Sequence, residues 1–348
     1  MAMMHVGLDL SRKRLDVHVM NDAGEPVAVM AVPPDADGLR GLVARVGEHG
    51  EPVHAAIESM TGARFIHDQL ELAGWDVDVA DAQKVKGLAP LACKTDRIDA
   101  RVLAELCRRD LVPAIWLPTP DVRGDRERAR WRLHLVRHRA ALKNRIHATL
   151  MTFGHSCPVS DLFGVGGRQL LQRLELPGPW HDTVTASLRL IDQLGEEITA
   201  CEADLRRRGA DHPYVPLLMT APGIGWILAY TIAGEIGDIS RFSSPAKLVG
   251  YTGLCARVYQ SGGRDHRGAL AKNGPTHLRW ALIEASMHAS KSGVYRDHYL
   301  HTKTRVGKQR GTSVARIEVA RKLTEAIWYM LTRNQAFSPA GSAKVLAA

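Results

Sequence analysis

The sequence predicts an α/β domain at the amino end followed by an all-α remainder, and three observations carry that division. Apolar residues alternate with period two over residues 5–31, then give way to helix–strand alternation up to about residue 80. A stiff, proline-marked stretch follows at Ile115-Trp116-Leu117-Pro118-Thr119-Pro120. Beyond it the apolar spacing changes to threes and fours over two long segments. The chain has 348 residues, 45% apolar and 24% charged, enough for two or three domains with real cores.

Several classes fall away on composition. No run of eighteen apolar residues exists, which excludes a membrane span. Asp9 interrupts the short apolar stretch near the start, which argues against a signal peptide. The five cysteines (93, 107, 157, 201 and 255) are odd in number and contain no Cys-x-x-Cys pair, which fits a reducing cytoplasm rather than a disulfide framework. Charge is unevenly divided. Residues 1–120 hold 13 Lys/Arg against 18 Asp/Glu, whereas the remaining 228 hold 33 against 19. That asymmetry points to a polyanion held by the later part of the chain.

Each element of the acidic front can be justified in order. Val6, Leu8 and Leu10, then Leu15, Val17 and Val19, then Val27, Val29 and Ala31 have the period of strands. The short polar turns between them predict an antiparallel meander. A helix near 36–47, a strand at 53–58, a helix at 63–73 and a strand at 76–80 follow, so the second half is parallel. A meander followed by α/β alternation is the order of a ribonuclease-H-like fold. Asp9 sits on the first strand, where an acid between Leu8 and Leu10 is costly without a partner. Glu58 ends the fourth strand. Asp96 and Asp99 open a helix running to about Arg109, and their i, i+3 spacing places them on one face. Clustered carboxylates are tolerable when a hard divalent cation such as Mg²⁺ neutralises them. Taken alone, Asp96 and Asp99 equally suit the positive end of a helix dipole.

The middle of the chain reads as a basic helical arm. Trp131, Leu135, His138, Leu142, Ile146 and Leu150 repeat at helical spacing, and residues 121–145 hold nine Lys/Arg and three acids. Arg123, Arg126, Arg128, Arg130, Arg137, Arg139, Lys143 and Arg145 are the candidates for phosphate contact. A second helix over roughly 182–208 carries a coiled-coil seam of Leu188, Ile191, Leu194, Ile198, Cys201 and Leu205. Such helices can pair within a chain or between chains. His134 and His138 lack the Glu of a zinc-protease helix.

In the last third, Pro222-Gly223-Ile224-Gly225 opens a helix and resembles a helix-hairpin-helix turn. Its Gly223 and Gly225 would let backbone N–H groups approach phosphate. Ser243 and Ser244 suit helix caps before Pro245. Ser261 lies in a glycine-rich turn with Arg264, Arg267, Lys272 and Arg279 downstream. The local pattern taken alone fits a turn serine better than a nucleophile, and no triad spacing accompanies it.

Taken together, Gly7-Leu8-Asp9, Ile57-Glu58-Ser59-Met60-Thr61-Gly62, Lys94-Thr95-Asp96-Arg97-Ile98-Asp99-Ala100, Pro222-Gly223-Ile224-Gly225, Gly250-Tyr251-Thr252-Gly253-Leu254 and Gln260-Ser261-Gly262 resemble the insertion-sequence-110 family of transposases, with its pilin-gene invertase relatives, over roughly residues 4–335. The resemblance implies a RuvC-like domain at 1–114 with Asp9, Glu58, Asp96 and Asp99 as a metal tetrad for Mg²⁺, or Mn²⁺ in its place. It implies a basic coiled-coil arm at 121–210 and a mainly helical transposase domain at 211–335 in which Ser261 is the nucleophile. A flexible tail at 336–348 completes the expected order. It further implies double-stranded element and target DNA as substrate, a composite site, a structured noncoding bridge RNA that supplies sequence choice, and a homodimer or homotetramer. A hydrolytic RuvC-like junction nuclease and a non-catalytic nucleic-acid scaffold are the rival readings.

Overall fold

The computed structural model describes residues 2–88, 96–261, 264–291 and 293–338, excluding the side chains of 96, 97, 261 and 264–267. The predicted Lys94-Thr95 pair and most of the predicted tail lie outside the described residues. The chain divides into two compact units, Met1–Leu117 and Pro118–Ala348.

The first unit is built on a five-stranded sheet. Strands β1 (Met4–Leu10), β2 (Leu15–Met20) and β3 (Pro26–Val32) form the meander, and β4 (Val53–Glu58) and β5 (Asp76–Ala80) complete the order β3-β2-β1-β4-β5. β2 is antiparallel to both its neighbours, whereas β4 is parallel to β1 and to β5. This is the arrangement the alternating pattern predicts. The period of two separates the faces. Val6, Leu8 and Leu10 pack with Leu15, Val17 and Val19 against Leu39, Leu42 and Val46 of α1 (Ala36–Gly47) and Ile66 and Leu70 of α2 (Ala63–Leu72). Asp35 caps α1 by accepting from the Gly38 amide at 2.8 Å. A short helix, α3 (Ala82–Leu88), is an element that the sequence reading lacks.

The opposite face carries His5, Gly7 and Asp9 of β1 and His54, Ala56 and Glu58 of β4, and α4 (Asp96–Arg108) covers it. Gly7 is what permits the cover. A Cβ built there would lie 1.8 Å from the Ala100 carbonyl oxygen and 2.5 Å from the Ala104 nitrogen. The helix runs against the direction of β1, because the Cys107 thiol approaches the Val6 carbonyl and Arg108 reaches the Asp22 carbonyl. The first turn of α4 therefore comes over the carboxyl ends of β1 and β4.

The second unit is helical apart from one hairpin. α5 (Pro120–Thr152) and α7 (Gly178–Ala210) pack along each other within the chain, with α6 (Val165–Arg173) at one end. There Ile146, Leu150, Leu162, Leu171, Leu176, Val184 and Ile191 make a separate small core. At the other end Ala129 and Leu205 enter the main core with α8 (Val215–Leu218), α9 (Trp226–Ile236), α10 (Pro245–Thr252), α11 (Thr276–Ala289) and α13 (Gly311–Arg333). α12 (Gly293–Val306) packs on α13. β6 (Ala256–Ser261) and β7 (Arg264–Leu270) form an antiparallel hairpin between α10 and α11, an addition to the expected all-helical pattern. The predicted stripe on α5 needs correction. Trp131 and His138 are exposed, and Ala129, Leu133, Leu135, Ile146 and Leu150 are the buried positions. Trp131 stacks on His134, and His134 meets His138 at a tilt of 59°, so these rings contact one another on the outer surface. The predicted seam of α7 holds at Ile191, Ile198 and Leu205, all buried.

Gly7→Ala should force α4 off β1 and cost about 3 kcal/mol. Urea unfolding measures the loss, and hydrogen exchange should locate it to α4 and β1; parental stability would show that the two backbones can separate freely. His18, under the same helix, is held below the usual histidine pKa by burial and then by Arg101. A folded-state pKa below the unfolded one means its contribution is full above about pH 6.5 and is lost as pH falls through the folded value. Melts of His18→Gln should therefore decline less steeply than the parent between about pH 7 and about pH 5.

Candidate active site

The carboxylates are positioned by the sheet. Leu8 pairs with Ile57 in the parallel β1–β4 ladder, so Asp9 and Glu58 follow as neighbours at the same end and on the α4 face. Asp99 is in the first turn of α4 and partly buried, and Asp96 is the first residue of that helix. Asp9, Glu58 and Asp99 each interact with another group, and none is free. The sequence reading missed Asp16. The β1–β2 turn pairs it directly with Asp9, and it is buried, with Arg14 Nε donating to its carboxylate at 3.1 Å. The signal was available, since a short turn centred on residues 11–14 sets 9 opposite 16.

Among the described residues, no three His, Cys, Asp or Glu side chains close around a point where a metal could sit. The donor chemistry nevertheless fits a hard cation. Asp9, Glu58 and Asp99 offer only carboxylate oxygens, and Asp96 adds a fourth from the same helical turn.

Ser261 is the last residue of β6, paired in register with Arg264 across the turn. The base of the hairpin is pinned by the Ala271 amide on the Cys255 carbonyl, 2.8 Å, and by Arg321 Nε on the Leu254 carbonyl, 2.8 Å. Farther out, Arg257, Val258, Tyr259 and Gln260 are all exposed, with Tyr259 64% accessible. A strand exposed on both faces contributes little to its own unit's core, and its apolar side chains are free to meet another molecule.

The basic candidates separate into two groups. Arg130 makes a bidentate pair with Glu235, at 2.7 and 2.9 Å, and Arg126 donates to the Gly234 and Glu235 carbonyls, both at 2.8 Å. Glu235 is fully buried, so these two arginines are its counter-charges and not free cations. Arg128 lies near Asp125 and Asp204, and Arg123 is partly buried and engaged. Arg279 is partly buried and donates from one nitrogen to the Thr252 and Gly274 carbonyls, at 3.3 and 3.2 Å. Gly223 also has a packing duty. It has φ +82°, and a Cβ there would lie 2.3 Å from the Ala285 carbonyl oxygen of α11. A Cβ on Gly225 would meet nothing. Arg137 and Arg145 are exposed, Lys143 sits over the Phe163 ring at 4.5 Å, Arg139 lines the same groove, and Lys272 is exposed. The side chains of Arg264 and Arg267 lie outside the described residues.

Comparison with known proteins bears on this arrangement directly. Residues 215–300 match the family model described as "Transposase IS116/IS110/IS902 family", and residues 6–154 match a model of the DEDD transposase of insertion sequence 110. The chain belongs to the insertion-sequence-110 family of transposases. It is 28% identical over 306 residues to the transposase for insertion sequence element 1328 of Yersinia enterocolitica, covering 82% of this chain and 86% of that one. A probable family 20 transposase of Pseudomonas aeruginosa is 23% identical over 351 residues, covering 97% of this chain and 100% of the relative. The transposase for insertion sequence element 1111A of Coxiella burnetii is 24% identical over 264 residues, 70% of this chain and 68% of the relative. The transposase is thus a DNA strand-transfer enzyme, and its first matched segment is of the kind named for four acidic residues, which suggests a divalent metal. No described helix of the transposase is long and apolar enough to cross a membrane.

Glu235→Ala should destabilise the second unit by about 1.5–3 kcal/mol, because the half-exposed Arg130 loses its bidentate partner and the half-buried Arg126 its counter-charge. Thermal unfolding measures it. A loss under about 1 kcal/mol would mean that water reaches both guanidinium groups.

Proposed function

We propose that this transposase cuts and exchanges DNA strands through a covalent phosphoserine at Ser261, with Asp9, Glu58, Asp96 and Asp99 as the residues that would hold Mg²⁺. The observation that carries the reading is the antiparallel run of α4 over β1, which brings the helix's first turn to the end of the sheet where Asp9 and Glu58 stand. Carboxylates from three separate segments at one sheet end are hard to account for by local structure alone. A divalent cation bound there would supply positive charge beside the scissile phosphate.

The chain's own groups then divide the work. The Ser261 hydroxyl loses its proton as its oxygen bonds to phosphorus. The bond from phosphorus to the departing deoxyribose oxygen breaks, and that oxygen takes up a proton. Bond energy is retained in the phosphoserine, so the reverse attack by another strand's hydroxyl needs no nucleotide cofactor. Lys272, Arg264 and Arg267 follow Ser261 closely in sequence and suit stabilisation of the charge that develops. Arg137, Arg139, Lys143 and Arg145 on α5 suit contact with nucleic-acid backbone, and the Gly225 turn offers backbone N–H groups to a phosphate. In this reading 1–114 is the RuvC-like metal-binding domain, 121–210 the arm and 211–335 the transposase domain. A structured noncoding RNA selects the DNA by base pairing, and the enzyme works as a dimer or tetramer.

Labelled element DNA incubated with the transposase and Mg²⁺ should give a protein-linked product on denaturing gels. Ser261→Ala should abolish that adduct while leaving the fold intact, and an adduct that survives the substitution would remove Ser261 from the mechanism. Asp9→Asn should lower cleavage by about 100-fold or more. Cleaved DNA without any protein-linked species would favour the hydrolytic nuclease. Sequencing of RNA that co-purifies with the protein, expressed with its flanking DNA, tests the guide.

A further inference from the structure

One basic stretch of the chain's carboxyl half has no part in the chemistry above. Residues 298–317 hold five Lys/Arg and two His and no Asp or Glu. They form the end of α12, a turn and the start of α13, and all eight residues from Lys303 to Arg310 are exposed. Lys303, Arg305, Lys308 and Arg310 make no salt bridge among the described residues, in contrast to the arginines at the start of α5.

The turn is also tied by backbone hydrogen bonds. The Gly307 amide bonds to the Lys303 carbonyl at 3.1 Å, the Gly311 amide to the Gly307 carbonyl at 2.8 Å, and the Val314 amide to the Arg310 carbonyl at 3.0 Å. Gly311 is buried, and a Cβ there would lie 2.4 Å from the Lys303 carbonyl oxygen, so the two helices are locked where they meet. The first turn of α13 contains no acid to offset the cations. His298 nearby has its pKa lowered by burial and then by Lys322, with Glu318 opposing and His301 and Arg305 adding to the decrease.

A fixed, uncompensated cluster of four cations attracts a polyanion. The eight residues are Lys, Thr, Arg, Val, Gly, Lys, Gln and Arg, none of them aromatic, and the ring of Tyr299 one turn back on α12 is half-buried with Lys303 Nζ 6.0 Å from its centroid, so no fully exposed stacking platform lies within the turn. Point charges without a stacking platform suit phosphates along an intact duplex, and DNA is the polyanion on which a transposase acts.

We propose that the α12–α13 turn, through Lys303, Arg305, Lys308 and Arg310, is a docking site for the backbone of duplex DNA, engaged without regard to sequence. The proposal rests on membership of the transposase family and not on Ser261 as nucleophile. Its test uses the full chain carrying Lys303→Gln, Arg305→Gln, Lys308→Gln and Arg310→Gln together, with duplexes of unrelated sequence titrated over about 50–200 mM salt. Affinity should fall about tenfold or more, equally for every sequence, and the slope of log K against log salt should shrink by about two to four. The variant should melt with the parent, because all four side chains are exposed. Should it fail to fold, Lys308→Gln with Arg310→Gln should give about half the slope change. Parental affinity and slope in a folded variant would overturn the proposal, as would a loss seen with an RNA hairpin and not with duplex DNA. A Ser261→Ala protein should keep the parental slope, so the two readings fail separately.

Discussion

Two backbones approach more closely than a methyl group allows where α4 crosses β1 at Gly7, and the geometry of the first unit follows from that crossing. A helix seated this low can cover the His5, Gly7 and Asp9 face only with small residues, and Ala100 and Ala104 provide them, both buried. Its direction is then fixed by Cys107 near Val6 and Arg108 near Asp22 at the opposite end. The acidic first turn has one place left to go, above the ends of β1 and β4. A larger residue at position 7 would lift the helix and carry Asp96 and Asp99 with it, so the carboxylate edge depends on a residue that has no functional group.

The second unit uses the same device at Gly223 against α11, and adds an ionic one. Glu235 is fully buried in α9, and the unit's fold requires two arginines of α5 to reach it. Arg132 with Glu202, and Arg128 near Asp204, add ties between α5 and α7. The amino-terminal half of α5 is therefore basic in sequence and largely spent on internal acceptors. Buried pairs of this kind contribute little net stability against an apolar alternative, but they are costly to break, which makes the α5–α9 packing specific.

Much of the first unit was legible in the sequence because its signals are local. Strand alternation, short turns and the positions of Asp9 and Glu58 near strand ends all follow from spacing, and the antiparallel meander followed by parallel strands is observed. Asp16 was legible in principle through the turn that pairs it with Asp9. The second unit was less so, because helical periodicity identifies a face without saying what covers it. Trp131 and His138 share a stripe with Leu135 and Ile146, yet they lie outside the packing against α7 and α9 and remain exposed. The β6–β7 hairpin escaped notice because Gly262, Gly263 and the charges around them resemble a loop. The partners of Arg126 and Arg130 come from far along the chain, in one case 109 residues away, and no local pattern encodes them.

Charge shows why this distinction matters for function. Residues 121–348 carry a large formal excess of cations, which by itself says only that a polyanion is welcome. Pairing removes much of that excess from the first third of α5, where Glu235, Glu202, Asp204 and Asp125 take up the arginines. Among the described residues, the exposed cations outside any salt bridge include Arg137 and Arg145 on α5 and the run Lys303, Arg305, Lys308 and Arg310 between α12 and α13. A cation held by a buried carboxylate cannot release counterions from a nucleic acid, whereas an exposed one can. The surface that meets nucleic acid is thus defined less by where basic residues occur than by where the fold leaves them without an acid.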